Sequence, residues 1–78
     1  MKEIILPEVG ENITEATVSF WHHQTGEEVK AESELVEFYT DKANFSVKSP
    51  VDGVLRTILV KEGEKATVGK VIGIIEEK

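Results

Sequence analysis

The sequence predicts an all-β domain, built as a flattened β-barrel or sandwich of two four-stranded antiparallel sheets related by an approximate two-fold axis. Short runs of β-forming residues alternate with turn residues along the whole chain. No stretch holds the 3.6-residue apolar period of a helix. The pattern also repeats, because two Gly-Glu turns lie 37 residues apart.

Eight strands follow from the runs rich in Val, Ile, Leu, Phe and Thr. They are predicted at Lys2–Leu6, Ala16–His23, Glu28–Lys30, Glu34–Tyr39, Asn44–Lys48, Gly53–Val60, Lys65–Thr67 and Val71–Glu76. Most of the connections contain Pro, which removes a backbone donor, or Gly, which permits a tight bend. Trp21 breaks the alternation of Val18 and Phe20, which predicts a β-bulge or a change of register there, with the indole in the core.

The repeat predicts how the strands pack. Each half contains a long strand, a Gly-Glu turn, a short strand and another long strand. With the 37-residue offset, the first half aligns with the second at Trp21 and Ile58, Val29 and Ala66, Leu35 and Ile72, and Phe38 and Ile75. Half a chain of this length cannot bury its apolar face alone, so we expect the two halves to pack face to face.

A polar break, Thr40 to Asn44, separates two of the predicted strands and is short enough only for a hairpin turn. Lys42 lies at its centre, so its amine is expected at a solvent-exposed tip. The matching position in the second half would be residue 79. The tip and the two chain ends are therefore expected at opposite ends of the domain.

Composition limits the classes of function. Seventy-eight residues predict one domain, residues 1–78, with a small core. The net charge is −6, of which residues 1–39 carry about −7, so binding to nucleic acid is not expected. This acidity suits basic partner surfaces, or it simply keeps a small domain soluble. We expect a monomer with no membrane association, located in the cytoplasm.

Other candidate sites are weaker. His22 and His23 are adjacent in a predicted strand, so they point to opposite faces and cannot chelate one metal together. Glu62 and Glu64 flank a Gly turn without a nearby nucleophile. The chain contains no Cys, which excludes thiolate chemistry and disulfides. We expect no metal site, no catalytic residues and no enzyme activity of the domain's own.

The motifs along the whole chain resemble one family. They are Leu6-Pro7-Glu8-Val9-Gly10-Glu11, Ala16-Thr17-Val18 with Trp21, Gly26-Glu27-Glu28-Val29, Leu35-Val36-Glu37, Asp41-Lys42-Ala43, Ser49-Pro50-Val51-Asp52-Gly53 and Lys61-Glu62-Gly63-Glu64. With these residues the chain resembles a lipoyl domain of the dihydrolipoamide acyltransferases of 2-oxo acid dehydrogenase complexes. The three-residue lysine motif is weak alone but specific on a hairpin within this pattern.

The resemblance implies a carrier. Lys42 would hold lipoic acid as an amide, flanked by Asp41 and Ala43 in the turn, and the domain would carry acyl groups and reducing equivalents between active sites. Gly10, Glu11, Asn12 and Thr40 would take part in partner recognition. The implied partners are a lipoyl ligase or transferase, a thiamine-dependent 2-oxo acid decarboxylating component, an acyltransferase core and dihydrolipoamide dehydrogenase. The parent protein would be longer, and in a eukaryote it would work in the mitochondrial matrix.

Some residues depart from the family pattern, and two alternative functions stay open. Tyr39 stands where the family usually has an acidic residue, Ser46 where it often has Glu, and Ala16 where Gly is common. Ala16-Thr17-Val18 and Trp21-His22 resemble the 2-oxoglutarate type more than the pyruvate type. The alternatives are a biotin carrier domain on the related fold and an unmodified β-sandwich adaptor or assembly module.

Overall fold

The computed structural model describes residues 1–78, and all of its regular structure is β-strand. The strands are β1 Lys2–Ile5, β2 Glu15–Trp21, β3 Glu28–Val29, β4 Glu34–Tyr39, β5 Asn44–Lys48, β6 Gly53–Ile58, β7 Lys65–Thr67 and β8 Val71–Glu77. All eight predicted strands are confirmed. The largest differences are at the ends of β2 and β6, which each stop two residues earlier than predicted. The molecule has no helix long and apolar enough to cross a membrane.

Two antiparallel four-stranded sheets face each other, and their strand orders match through the repeat. One sheet has the order β1-β8-β6-β3, and the other has β5-β4-β2-β7. Shifting by 37 residues carries β2, β3 and β4 onto β6, β7 and β8, while β1 takes the place of β5. The predicted flattened sandwich with approximate two-fold symmetry is therefore confirmed.

The core lies between the sheets and contains 15 buried hydrophobic residues. The repeat pairs predicted from the sequence lie in it: Trp21, Val29, Leu35, Phe38, Ala66, Ile72 and Ile75 are buried, and Ile58 packs against them. The indole Nε1 of Trp21 donates a 2.8 Å hydrogen bond to the carbonyl of Val60, which satisfies the one polar atom of this side chain.

The predicted bulge is present and also repeats. The β2–β4 register shifts between Val18 and Phe20, and the β6–β8 register shifts between Leu55 and Thr57. The extra residue turns Trp21 inward and leaves Phe20 on the outer surface. Both sheets bend at equivalent places, which allows them to wrap around one core.

The two Gly-Glu turns connect the halves by reciprocal hydrogen bonds. The Gly26 amide donates to the Leu55 carbonyl at 2.7 Å, and the Gly63 amide donates to the Val18 carbonyl at 2.8 Å. Both glycines have a positive φ, +93° and +88°, which L-residues with side chains rarely adopt. The Gly-Glu turn of each half therefore forms a hydrogen bond with a long strand of the other half.

The chain ends lie away from the Thr40–Asn44 break, as predicted. The Lys78 amide donates to the Asp52 carbonyl, and Lys2 pairs with Ile75 near the same end of the molecule. Asp52 also accepts a 2.7 Å hydrogen bond from the Ala31 amide, just before β4 begins. The break follows the other end of β4, and the molecule is 35 Å long.

Candidate functional site

The β4–β5 hairpin ends in a tight turn, residues 40–43. Tyr39 pairs with Asn44 at the last register position, and the Thr40 amide donates a 2.8 Å hydrogen bond to the Ala43 carbonyl. The two central residues, Asp41 and Lys42, both keep a negative φ. The turn is therefore not of the primed type that requires positive φ at both central positions.

The Thr40 hydroxyl supplies the hydrogen bonds that hold this turn. Its Oγ1 accepts from the amide of Ala43 at 3.0 Å and from the amide of Lys42 at 3.2 Å, and it donates to the carbonyl of Ala43 at 3.1 Å. A hydroxyl that bonds to the backbone two or three residues ahead is a known way to build a turn. Thr40 thus fixes the backbone on both sides of the lysine.

The Lys42 side chain is exposed and makes no ion pair and no hydrogen bond through its ammonium group. Three other cationic side chains, by contrast, contact carboxylates: Arg56, Lys65 and Lys78. The amine is therefore free to enter the active site of another protein on a long flexible stem.

Asp41 plays a different part from the one its residue type suggested. An Asp in a turn often bonds to nearby backbone through its carboxylate, but Asp41 makes no hydrogen bond, and Thr40 makes the local bonds instead. The Thr40 hydroxyl already occupies the amides of Lys42 and Ala43. The Asp41 carboxylate therefore faces solvent beside the lysine. Ala43 is exposed and adds only a methyl group to the turn.

A cleft of about 440 Å³ lies next to the turn. Its lining includes Asn12, Thr40, Asp41 and Lys42, which the sequence had singled out, together with Ile13 to Thr17, Tyr39 and Lys65. Gly10 and Glu11 do not line it. The loop after β1 thus reaches the lysine turn through Asn12, which has a left-handed backbone with φ 64°.

Glu15 and Lys65 are among the cleft residues that the sequence reasoning missed. Lys65 reaches the cleft because β7 pairs with β2, where Thr17 lies opposite Lys65, and Thr17 in turn lies opposite Tyr39. The repeat indicated two sheets but not the strand order that brings β7 to this side. The 3.7 Å ion pair of Lys65 with Glu15 completes that edge of the cleft.

The remaining polar candidates are held by local contacts. Glu62 accepts a 3.1 Å hydrogen bond from the Trp21 amide, and Glu64 accepts a 2.8 Å bond from the Lys61 amide, so both carboxylates bond to backbone amides. His22 Nε2 lies 2.7 Å from Glu37 and 3.7 Å from Glu34. These three groups are close enough to share a cation, but they are surface side chains bonded to one another.

Comparisons with known proteins agree with this geometry. A family model described as "Biotin-requiring enzyme", which covers biotin and lipoyl attachment domains, matches residues 2–75. The solved lipoyl domain of the 2-oxoglutarate dehydrogenase complex from Azotobacter vinelandii is 35% identical, with a TM-score of 0.78, and the match covers 96% of this chain and 95% of that one.

Longer curated relatives are similar over nearly the whole chain. The dihydrolipoyllysine-residue succinyltransferase component of the 2-oxoglutarate dehydrogenase complex of Bartonella vinsonii subsp. berkhoffii is 45% identical over 74 residues, or 95% of the chain. The component of the same name from Staphylococcus saprophyticus is 40% identical over 77 residues, or 99% of the chain. The chain spans only 18% of the length of each of these two relatives.

Proposed function

Because this chain belongs to the biotin- and lipoyl-attachment family and, within it, to the lipoyl domains, we propose that Lys42 carries lipoic acid through an amide bond and that the domain delivers acyl groups between active sites. The observation that carries the proposal is the free amine of Lys42, held at the tip of a hairpin by the Thr40 hydroxyl.

The residues of the turn fit this cofactor. Amide formation needs an unhindered amine, and the exposed Lys42 side chain has neither an ion pair nor a hydrogen bond to give up. Ala43 leaves space on the far side of the turn, and Asp41 offers a free carboxylate for a modifying enzyme to contact. When bound, the cofactor supplies the redox and acyl-carrying chemistry, while the protein supplies position and reach.

The protein's own contribution is geometric. Four hydrogen bonds within residues 40–43 fix the direction in which the lysine stem leaves the domain. The chain ends lie at the other end of the molecule, so a tethered domain would present the arm outward. Tethering of this kind raises the local concentration of the arm at nearby active sites.

Lipoylation is tested by intact mass after incubation with a lipoyl ligase, lipoic acid and ATP. We expect the wild-type chain to gain one lipoyl group, and Lys42→Arg to gain none while keeping its thermal unfolding temperature. Lys48→Arg, in the adjacent strand, is the matched control and should be modified like the wild type. A chain that stays unmodified while a known acceptor in the same tube is modified would refute the proposal.

A biotin carrier is the second candidate, since the matching family includes biotin attachment domains. Biotin acceptors typically place Met on both sides of the lysine, and here the neighbours are Asp41 and Ala43. The only Met of the chain is Met1. We therefore expect no streptavidin binding after incubation with biotin ligase, and strong streptavidin binding would favour this alternative.

The proposed partners follow from the relatives, whose names place them in 2-oxoglutarate dehydrogenase complexes. We propose that a thiamine-dependent decarboxylating component loads the arm, that an acyltransferase core unloads it and that dihydrolipoamide dehydrogenase reoxidises it. The 2-oxoglutarate type is the preferred acyl donor. The cytoplasmic location and the single domain over residues 1–78 stay predictions.

A further inference from the structure

The internal repeat allows the outer faces of the two sheets to be compared position by position. Inside, equivalent positions are alike, as with Leu35 and Ile72. Outside they differ. Phe20 on β2 corresponds to Thr57 on β6, and Tyr39 on β4 corresponds to Glu76 on β8. The fold therefore does not require aromatic side chains at residues 20 and 39, because the other sheet is built with polar ones.

Phe20 and Tyr39 are half-exposed, at 50% and 46%, on the same face. Phe20 lies opposite Glu37 in the β2–β4 pairing, and Tyr39 is two residues further along β4 on the same side. Diagonal neighbours of this kind are about 7–8 Å apart, close enough to form one patch. Tyr39 directly precedes the turn, and Phe20 lies roughly 10 Å down the sheet from it.

Carboxylates border this aromatic patch. Glu34 and Glu37 lie on β4 below Tyr39, and the one basic side chain within 4.0 Å of either is His22. The His22 ring also packs edge-on against Phe20, with the centroids 5.0 Å apart, which holds both rings in place. The equivalent residues on the other sheet are Val71, Ile74 and Leu59, so this acidic border is again specific to one face.

We propose that this face, defined by Phe20, Tyr39, Glu34 and Glu37, is the surface on which the acyl-donating enzyme docks when it loads the arm on Lys42. The inference rests on the proposed carrier function. The partner surface that fits is an apolar recess bordered by Arg or Lys side chains at the mouth of the donor's active site. The acyl-donating enzyme is the partner that fits because the face adjoins the lysine turn. An enzyme bound to this face would hold the lipoyl arm at the enzyme's own active site.

The energetics favour the two rings as the main contacts. Aromatic side chains that become fully buried at an interface carry most of its binding energy, and rim charges mainly steer the encounter. Phe20 and Tyr39 need little ordering because the sheet already fixes their backbones. Glu34 and Glu37 should therefore affect the association rate and its salt dependence more than the final affinity.

The test is reductive acylation of the fully lipoylated domain by a purified 2-oxoglutarate decarboxylating component, with lipoylation of every variant verified by intact mass. Phe20→Thr with Tyr39→Thr should raise the KM for the domain at least about tenfold, since each lost aromatic contact exceeds about 1 kcal/mol. The matched control is Leu59→Thr, because Leu59 is 49% exposed and directly follows β6 of the other sheet. It should leave the KM unchanged.

Further readouts separate docking from stability and from attachment. The unfolding temperatures of the variants should fall only slightly, because the changed side chains lie outside the core and are partly or largely exposed. Glu34→Gln with Glu37→Gln should reduce the salt dependence of the KM. The inference is overturned if the aromatic double variant keeps the wild-type KM, or if Leu59→Thr raises it equally. Failure of the wild-type domain to accept lipoic acid refutes the carrier function itself and with it this inference.

Discussion

At the scale of single residues, the turn depends on a hydroxyl group rather than on the lysine or its acidic neighbour. Thr40 bonds to Lys42 and Ala43 through one oxygen atom, at 3.0–3.2 Å. A Thr at the first position of a short polar break is a recognisable sequence signal for such a turn. The sequence reasoning gave Thr40 only a role in recognition, since Asp is the more common residue with this ability.

Replacing Thr40 by Val should loosen the turn. Val has a similar shape but cannot accept the amides of Lys42 and Ala43, so the variant should lose about 1 kcal/mol of stability. Amide hydrogen exchange at these two residues should become faster, and lipoylation should slow. Thr40→Ser keeps the hydroxyl and should restore both rates. Equal behaviour of the Val and Ser variants would show that the hydroxyl is dispensable.

The internal repeat identifies Glu32 as a position where a substitution should stabilise the folded domain. It has a left-handed backbone with φ 72°, and its equivalent in the second half is Gly69, with φ 91°. A non-glycine residue pays about 1–2 kcal/mol for this conformation. Glu32→Gly should therefore stabilise the domain by about 0.5–1 kcal/mol after the entropy cost of Gly. Chemical denaturation measures this change, and a loss of stability would contradict the strain assigned to Glu32.

At the scale of elements, periodicity and turn chemistry were sufficient to predict all eight strands. They did not predict that β2 ends at Trp21, because His22 and His23 continue the β-rich composition. There the chain leaves the strand as Trp21 turns into the core and its amide bonds to Glu62 across the molecule. Such a contact joins residues 41 positions apart and has no signal in the local sequence.

The pairing of β6 with β8 depends on a glycine. A Cβ built on Gly53 would lie 2.2 Å from the carbonyl oxygen of Glu76, so the backbones would have to separate. Gly53→Ala should therefore cost about 1–3 kcal/mol, measured by thermal or chemical unfolding. Gly26→Ala is an informative control. A Cβ there meets nothing within 4 Å, so only the strain of its positive φ is added.

The contact between Glu28 on β3 and Lys78 gives a pH dependence with a definite sign. The hydrogen bond and charge of Lys78 hold the pKa of Glu28 below its usual value. A lowered carboxyl pKa stabilises the folded state above the unfolded-state pKa, and this contribution disappears as the pH falls through the folded-state pKa. Because Glu28 is fully exposed, the effect should be small and sensitive to salt.

Lys78→Gln tests this contact. It should lower stability slightly at pH 7 in low salt, and the difference from the wild type should vanish well below pH 4, where Glu28 is protonated in both proteins. Lys70→Gln serves as the control because Lys70 forms no ion pair. A difference that persists in acid would assign the effect of Lys78 to something other than Glu28.

At the scale of the whole molecule, the repeat explains both the fold and its polarity. Two similar halves share one core, and their Gly-Glu turns exchange hydrogen bonds across the approximate two-fold axis. The outer surfaces of the two sheets differ, and the β4–β5 hairpin with Lys42 at its tip belongs to one sheet. The sequence predicted this arrangement because the 37-residue offset is visible in the chain. The outer faces could not be predicted, since they depend on strand order and on the bulge.

Reductive acylation is the decisive measurement for the proposed carrier function. The lipoylated domain is incubated with a 2-oxoglutarate decarboxylating component and 2-oxoglutarate, or with a pyruvate decarboxylating component and pyruvate, and its intact mass is followed over time. We expect the gain of one succinyl group with 2-oxoglutarate, a slower gain of an acyl group or none with pyruvate and its own decarboxylating component, and no gain for Lys42→Arg. A fully lipoylated wild-type domain that accepts no acyl group from either component would contradict the carrier function.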